Sequence, residues 1–161
     1  MRHIIAPAAV QELIFQEALL LDQGSLNEWL SLYTPEGSYW MPAAIDQTDP
    51  DNRVSLIRDN RRLMEVRVQR LQHPQLYSQQ PMTRTQRLVS NILCVGEDEG
   101  RSPLTVRSSF MCASHRLQRT QIYSGSYEHE LVRLDGVLRI HKKIVRLINC
   151  DVPLTNLGIP M

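Results

Sequence analysis

Residues 123–149, YSGSYEHELVRLDGVLRIHKKIVRLIN, constrain the fold more than any other stretch. Two long segments rich in apolar and aromatic residues flank Asp135-Gly136. Asp-Gly in that setting predicts a hairpin, because a type I′ turn needs positive φ at both central positions. The second arm, Val137 to Asn149, is unusually long for a strand and would span roughly 43 Å at about 3.3 Å per residue. A pair of that length coils under its own twist and wraps around whatever occupies its concave side. The expected centre is therefore a strongly curved antiparallel sheet, with the preceding helices filling the hollow.

Earlier in the chain the apolar period is helical. Val10, Leu13, Ile14, Glu17/Ala18 and Leu21 predict a helix over 8–22, stopped by Gly24. Ser25 to Glu28 has capping-box form and opens a short helix that places Leu26, Trp29, Leu30 and Tyr33 on one side. Pro35-Glu36-Gly37 breaks that helix, and Ser38–Met41 reads as a first strand. Residues 42–53 read as a loop and Val54–Ile57 as a short edge strand. Asp59 is the expected N-cap of a third helix reaching about Gln72, where His73-Pro74 ends it.

After Pro81 the pattern turns to strands: Thr83–Val95, a polar turn at Glu97–Gly100, and Leu104–Leu117. Leu104, Val106, Ser108, Phe110 and Cys112 alternate with Thr105, Arg107, Ser109 and Met111, giving one apolar and one polar face. A tight connection near Arg119-Thr120 leads into the hairpin. In the last strand the apolar phase slips, with Leu138, Ile140 and Ile144 sharing a face with Arg146 while Val145 and Leu147 take the other. Either a bulge or burial on both faces accounts for the slip. Helices first and long antiparallel strands afterwards is an α+β order. Residues 1–161 are read as one domain, the hydrophobic fraction being 42% and the charged fraction 22%.

Several function classes find no support. A net charge of +1 offers no field for nucleic acid. The absence of a long apolar run excludes a membrane-spanning helix, and the N-terminus lacks the form of a secretion signal. Cys94, Cys112 and Cys150 are odd in number and sit in apolar surroundings, as buried free thiols of a reducing cytoplasm do. His3, His73, His115, His129 and His141 show no metal-ligand spacing. His129, between Glu128 and Glu130, reads as a solvated strand histidine. No phosphate-binding glycine loop or nucleophile elbow occurs. In Thr83–Asn91, Arg84 and Arg87 face opposite sides of a regular strand, with Arg87 and Asn91 on the face of Thr85, Val89 and Leu93. One Arg then binds a carboxylate at an interface or pocket mouth, or both lie in solvent. Trp29, Tyr39 and Trp40 read as core and rim aromatics.

Taken together, six pieces resemble one family. They are Glu17–Asp22, Trp29-Leu30, Tyr39-Trp40-Met41-Pro42, Arg67–Leu71 with His73-Pro74, Thr83–Asn91, and Lys142-Lys143-Ile144-Val145 through Asn149. In this order they resemble the small (β) subunits of bacterial aromatic-ring-hydroxylating dioxygenases, and most of all the benzoate/toluate/halobenzoate branch. The resemblance implies an α+β cone, with N-terminal helices packed in a curved sheet, similar to nuclear transport factor 2 and ketosteroid isomerase. It implies a trimer of β chains within an α3β3 assembly. The Rieske [2Fe–2S] cluster and mononuclear Fe(II) then reside in the large α subunit, with no cofactor, metal or catalytic residue expected in this chain. Arg84, Arg87, Asn91, Tyr39 and Trp40 are the expected interface positions. The competing expectation is a stand-alone dehydratase or isomerase on the same cone, with an interior acid/base pair drawn from Tyr33, Tyr39, Asp46, His115 or His129.

Overall fold

Asp135 and Gly136 both adopt positive φ, 51° and 79°, and turn one long strand into the next. In the computed structural model, which describes residues 3–74, 81–95, 103–154 and 160–161, that hairpin joins β6 (Arg119–Leu134) to β7 (Val137–Leu147). Ahead of them run β1 (His3–Ile5), α1 (Ala8–Gln23), α2 (Leu26–Ser31), β2 (Tyr33–Pro42), β3 (Ser55–Asn60), α3 (Arg61–Leu71), β4 (Arg84–Val95) and β5 (Leu104–Arg116). The strands form one sheet in the order β1-β4-β5-β6-β7-β2-β3. It is mixed, because β2 runs parallel to β7 while the other pairs are antiparallel. The three helices cover its concave side, where Trp29, Met64, Val106, Tyr127 and Val145 share one core.

Local differences from the sequence reading have simple causes. Gly24 caps α1 in the left-handed conformation as expected. Ser25 occupies the N-cap of α2 but makes no side-chain capping bond. Tyr33 belongs to β2 rather than to α2, and residues 34–37 bulge out between its pairs with β7. The cap of α3 is Asn60, whose side chain accepts from the Leu63 amide, while Asp59 holds Arg67 through two bonds of 2.6 and 3.2 Å. The turn between β5 and β6 falls two residues earlier than expected, at Leu117 and Gln118, both with positive φ. The polar turn expected at Glu97–Gly100 lies outside the described residues.

A bulge explains the phase slip in the last strand. Leu131 pairs with Ile140 but Glu130 pairs with Lys142, so one residue is inserted and the register moves by one. Ile140 then faces the core together with Lys143, Val145 and Leu147. Ile144 is buried as well, but opposite Trp40 on the outer side. Burial on both faces accompanies the bulge. A second bulge, at Asn91 with φ of 54°, turns Ile92 and Cys94 inward and leaves Asn91 exposed, off the face of Arg87. Asn tolerates that backbone better than most residues.

Where β6 curves past β7 there is no room for a side chain at Gly125. A Cβ built there lies 1.9 Å from the Arg146 carbonyl oxygen. Gly125→Ala is expected to lower stability by about 1–3 kcal/mol, read from the urea midpoint, because two backbones must separate.

Candidate functional site

The stripe by which α1 meets the sheet contains one carboxylate. Val10, Leu13, Ile14 and Leu21 are buried on it, and Glu17 is buried among them. A lone carboxylate there would be costly, yet every donor it needs is supplied. Trp29 Nε1 and the Tyr33 hydroxyl donate to Oε1 at 3.1 and 3.0 Å. His129 Nε2 and Lys143 Nζ lie 2.9 and 3.0 Å from Oε2. His129 and Lys143 face each other across β6 and β7, a pairing created by the bulge; an unbroken register would have set Lys142 there. The Lys143 ammonium also sits 4.1 Å from the centre of the Tyr127 ring.

Protonation follows from these contacts. Burial alone would raise the Glu17 pKa, but the Lys143 ammonium and the His129 imidazole outweigh it and hold the carboxyl far below its ordinary 4.5. Burial lowers His129 below 6.5 against the pull of Glu17, so the ring is neutral at pH 7. Because the carboxylate only accepts, Nε2 carries the hydrogen. Burial likewise lowers Lys143, with Glu17 opposing. Burial and the Glu17 charge push Tyr33 well above 10.

A pH dependence follows. Above pH 6.5 His129 is neutral whether folded or unfolded. As the pH falls through 6.5, the unfolded chain takes up a proton that the folded histidine refuses, and stability declines. Below 4.5 the unfolded Glu17 also protonates while the folded one stays charged, and the decline steepens. Urea midpoints at pH 7.5, 5.5 and 4 should fall in that order, and His129→Phe should remove most of the first step.

Nearer the mouth of the cone a second ion pair ties α1 to β4. The Arg87 guanidinium is buried and donates to Asp22, whose carboxylate also accepts from the Arg87 amide at 2.7 Å and the Thr85 hydroxyl at 2.8 Å. Across this mouth lies Pro160-Met161. Arg87 Nη2 donates to the Pro160 carbonyl at 2.6 Å, and Lys143 Nζ donates to the Met161 oxygen at 2.9 Å. The Tyr39 hydroxyl lies 3.2 Å from the Met161 oxygen and accepts from its amide at 2.9 Å. Met161 is completely buried.

A carboxylate beside an imidazole is the pairing a proton-transfer site needs, but such a site must also admit a substrate. Two of the concavities among the described residues bear on this. One, of about 510 Å³, lies against Pro42, Ile45, Ser124, Gly125 and Arg146; the other, of about 280 Å³, lies against Leu21, Gly24, Met82, Arg84 and Pro160. Neither is lined by Glu17, His129 or Lys143. No three His, Cys, Asp or Glu side chains among the described residues gather as a metal-ligand set. Nor is any helix among them long and apolar enough to cross a membrane.

The interface positions expected from sequence separate into three groups. Arg87 and Tyr39 are buried and turned inward onto Pro160-Met161. Arg84 and Asn91 are exposed. Trp40 is buried on the outer side of the sheet under Arg146, its Nε1 donating to Ser55 at 2.9 Å. His129 is interior rather than solvated, because Tyr123, Tyr127, His129 and Leu131 share the inward parity of β6. His129, Tyr33 and Tyr39 do meet in the interior. His115 instead pairs with Thr120 near a turn, and Asp46 with Arg53 in the loop after β2. Sequence reasoning missed Glu17 and Lys143 as interior charges, though a carboxylate on an otherwise apolar helical stripe was a legible signal.

Outside the cone the sheet exposes apolar side chains together. Leu88 on β4 pairs directly with Met111 on β5, and Ile122 on β6 pairs with Ala113, the next outward residue of β5. Leu88, Met111 and Ile122 are 67%, 49% and 63% exposed, and Arg84 lies on the same outward parity of β4. Neighbouring exposed apolar groups of this kind mark association surfaces.

Comparison with known proteins adds a family. Residues 16–153 match the model of the ring hydroxylating beta subunit family. The small oxygenase component of the p-cumate 2,3-dioxygenase system of Pseudomonas putida is 33% identical over 141 residues, covering 86% of this chain and 77% of that protein. The benzoate 1,2-dioxygenase subunit beta of Acinetobacter baylyi is 33% identical over 147 residues, covering 87% of this chain and 85% of its own length. The solved beta subunit of benzoate 1,2-dioxygenase from Burkholderia mallei superposes with a TM-score of 0.78 at 27% identity, over 99% of this chain and 100% of that one.

Proposed function

Because this chain belongs to the ring-hydroxylating dioxygenase β-subunit family, we propose that it is the structural small subunit of a cytoplasmic dioxygenase that cis-dihydroxylates an aromatic acid or hydrocarbon. Oxygen is the co-substrate, and the electrons derive from NADH. The Rieske cluster and the mononuclear iron belong to the large α subunit, and this chain supplies position. Three β chains meet through the outward face of β4, β5 and β6, around Leu88, Met111 and Ile122, within an α3β3 complex. Arg84 and Asn91 lie at the rim of that contact.

One observation carries the non-catalytic reading: the interior carboxylate that a dehydratase or isomerase would use is saturated by donors, His129 Nδ1 alone of the pair having no partner among the described residues. Four donors from the chain occupy Glu17, and Met161 closes over Lys143. The test is an assay of the purified chain against hydroxylated and halogenated ring compounds. The proposal expects no turnover. Turnover that His129→Phe abolishes would establish the dehydratase or isomerase reading in its place.

A further inference from the structure

We infer that the concavity between the loop after β2 and the adjoining parts of β6 and β7 is a binding site for a small carboxylate with an apolar body. This goes beyond the assembly role and does not depend on it. The cavity, of about 510 Å³, has the size of a small-molecule site, about 300–1,000 Å³. Pro42, Ile45, Leu147 and Ile148 give it apolar walls, and Ile45 and Ile148 are 70% and 71% exposed. Its polar side comes from Ser126 and Arg146, which pair directly across β6 and β7 and so present their side chains on the same face.

Arg146 is held in place by the chain itself. Its guanidinium lies over the Trp40 ring, 5.3 Å from the centre, and Nη1 donates to the Gln47 carbonyl at 2.9 Å. Neither contact neutralises it. Among the described residues no carboxylate pairs with Arg146, and Asp46 of the neighbouring loop is taken up by Arg53. Nε and Nη2 therefore remain to donate side by side to the two oxygens of one carboxylate. The Ser126 hydroxyl, also without a partner among the described residues, supplies a third donor. A bare anion would leave Ile45 and Ile148 in water, whereas a ring or short branched chain laid against them removes that surface from solvent. Charge and apolar wall together select an amphiphilic carboxylate over a neutral ring and over a small anion.

Titration calorimetry on the full chain tests this, with 4-isopropylbenzoate as the probe. One saturable site with a Kd of about 0.1–1 mM is expected. Acetate, which lacks the body, and 4-isopropylbenzyl alcohol, which lacks the charge, should each bind about tenfold more weakly or worse. Arg146→Gln should weaken the probe by about tenfold or more. Ile45→Glu should do the same by placing a negative charge beside the site, and at so exposed a position it should leave the melting temperature nearly unchanged. No saturation by about 10 mM probe, equal binding of the acid and the alcohol, or full affinity in Ile45→Glu overturns the inference. If Arg146→Gln fails to fold, Ile45→Glu decides.

Discussion

Glu17→Ala is expected to lower the unfolding free energy by about 3–5 kcal/mol, the loss seen when one member of a buried ion pair is removed. The substitution leaves the Lys143 ammonium sealed in the core without its counter-charge, and strands donors on Trp29, Tyr33 and His129. Lys143→Met should cost less, because Met fills similar space and Glu17 keeps three of its donors. The double variant Glu17→Leu/Lys143→Met should be more stable than Glu17→Ala, since both charges then leave together. A double-mutant cycle read by urea unfolding measures the coupling. If Glu17→Ala costs less than about 1 kcal/mol, the pair is not the interior anchor that the geometry describes.

Charging the outer face should have the opposite profile. Met111→Glu combined with Ile122→Glu is expected to abolish β–β association while leaving the melting temperature of the isolated chain nearly unchanged. Both side chains stand in solvent in the single chain, and surface substitutions of that kind shift stability by only about 0.5 kcal/mol. In an obligate interface, by contrast, a carboxylate pressed against the same group of a neighbour is both desolvated and repelled. Sedimentation of the unaltered and double-variant chains distinguishes these outcomes. Unchanged association in the variant would move the trimer contact to another surface.

The long hairpin, its Asp135-Gly136 turn, the helical stripe of α1 and the alternation of β5 were legible because each follows from local spacing and turn chemistry. The interior polar cluster was less so. The flanking glutamates at 128 and 130 make His129 look solvated, although Tyr123, Tyr127 and Leu131 share its parity and go inward. Lys143 faces inward only because one residue is inserted between the pairs at Ile140 and Lys142, and no propensity marks which residue of HKK that will be. Asn91 poses the same difficulty in β4, where the bulge breaks the parity that linked it to Arg87. The socket for Met161 joins residues from β2, β4 and β7, and sequence separation hides it completely. Arg87 was recognisable as a carboxylate binder at an interface or pocket mouth; the carboxylate it binds is Asp22 of the same chain, beside a concavity that both line.

In the proposed function a coiled sheet organises neighbouring subunits while oxidation takes place in another polypeptide. Co-purification with its large oxygenase subunit, followed by native mass measurement and an assay for NADH-dependent diol formation, tests it most directly. The predicted result is an equimolar complex of three large and three small chains that forms diol, with neither chain active alone and the Met111→Glu/Ile122→Glu variant failing to assemble. A large subunit that forms diol at the full rate without this chain, or a small chain that stays monomeric in its presence, would contradict it.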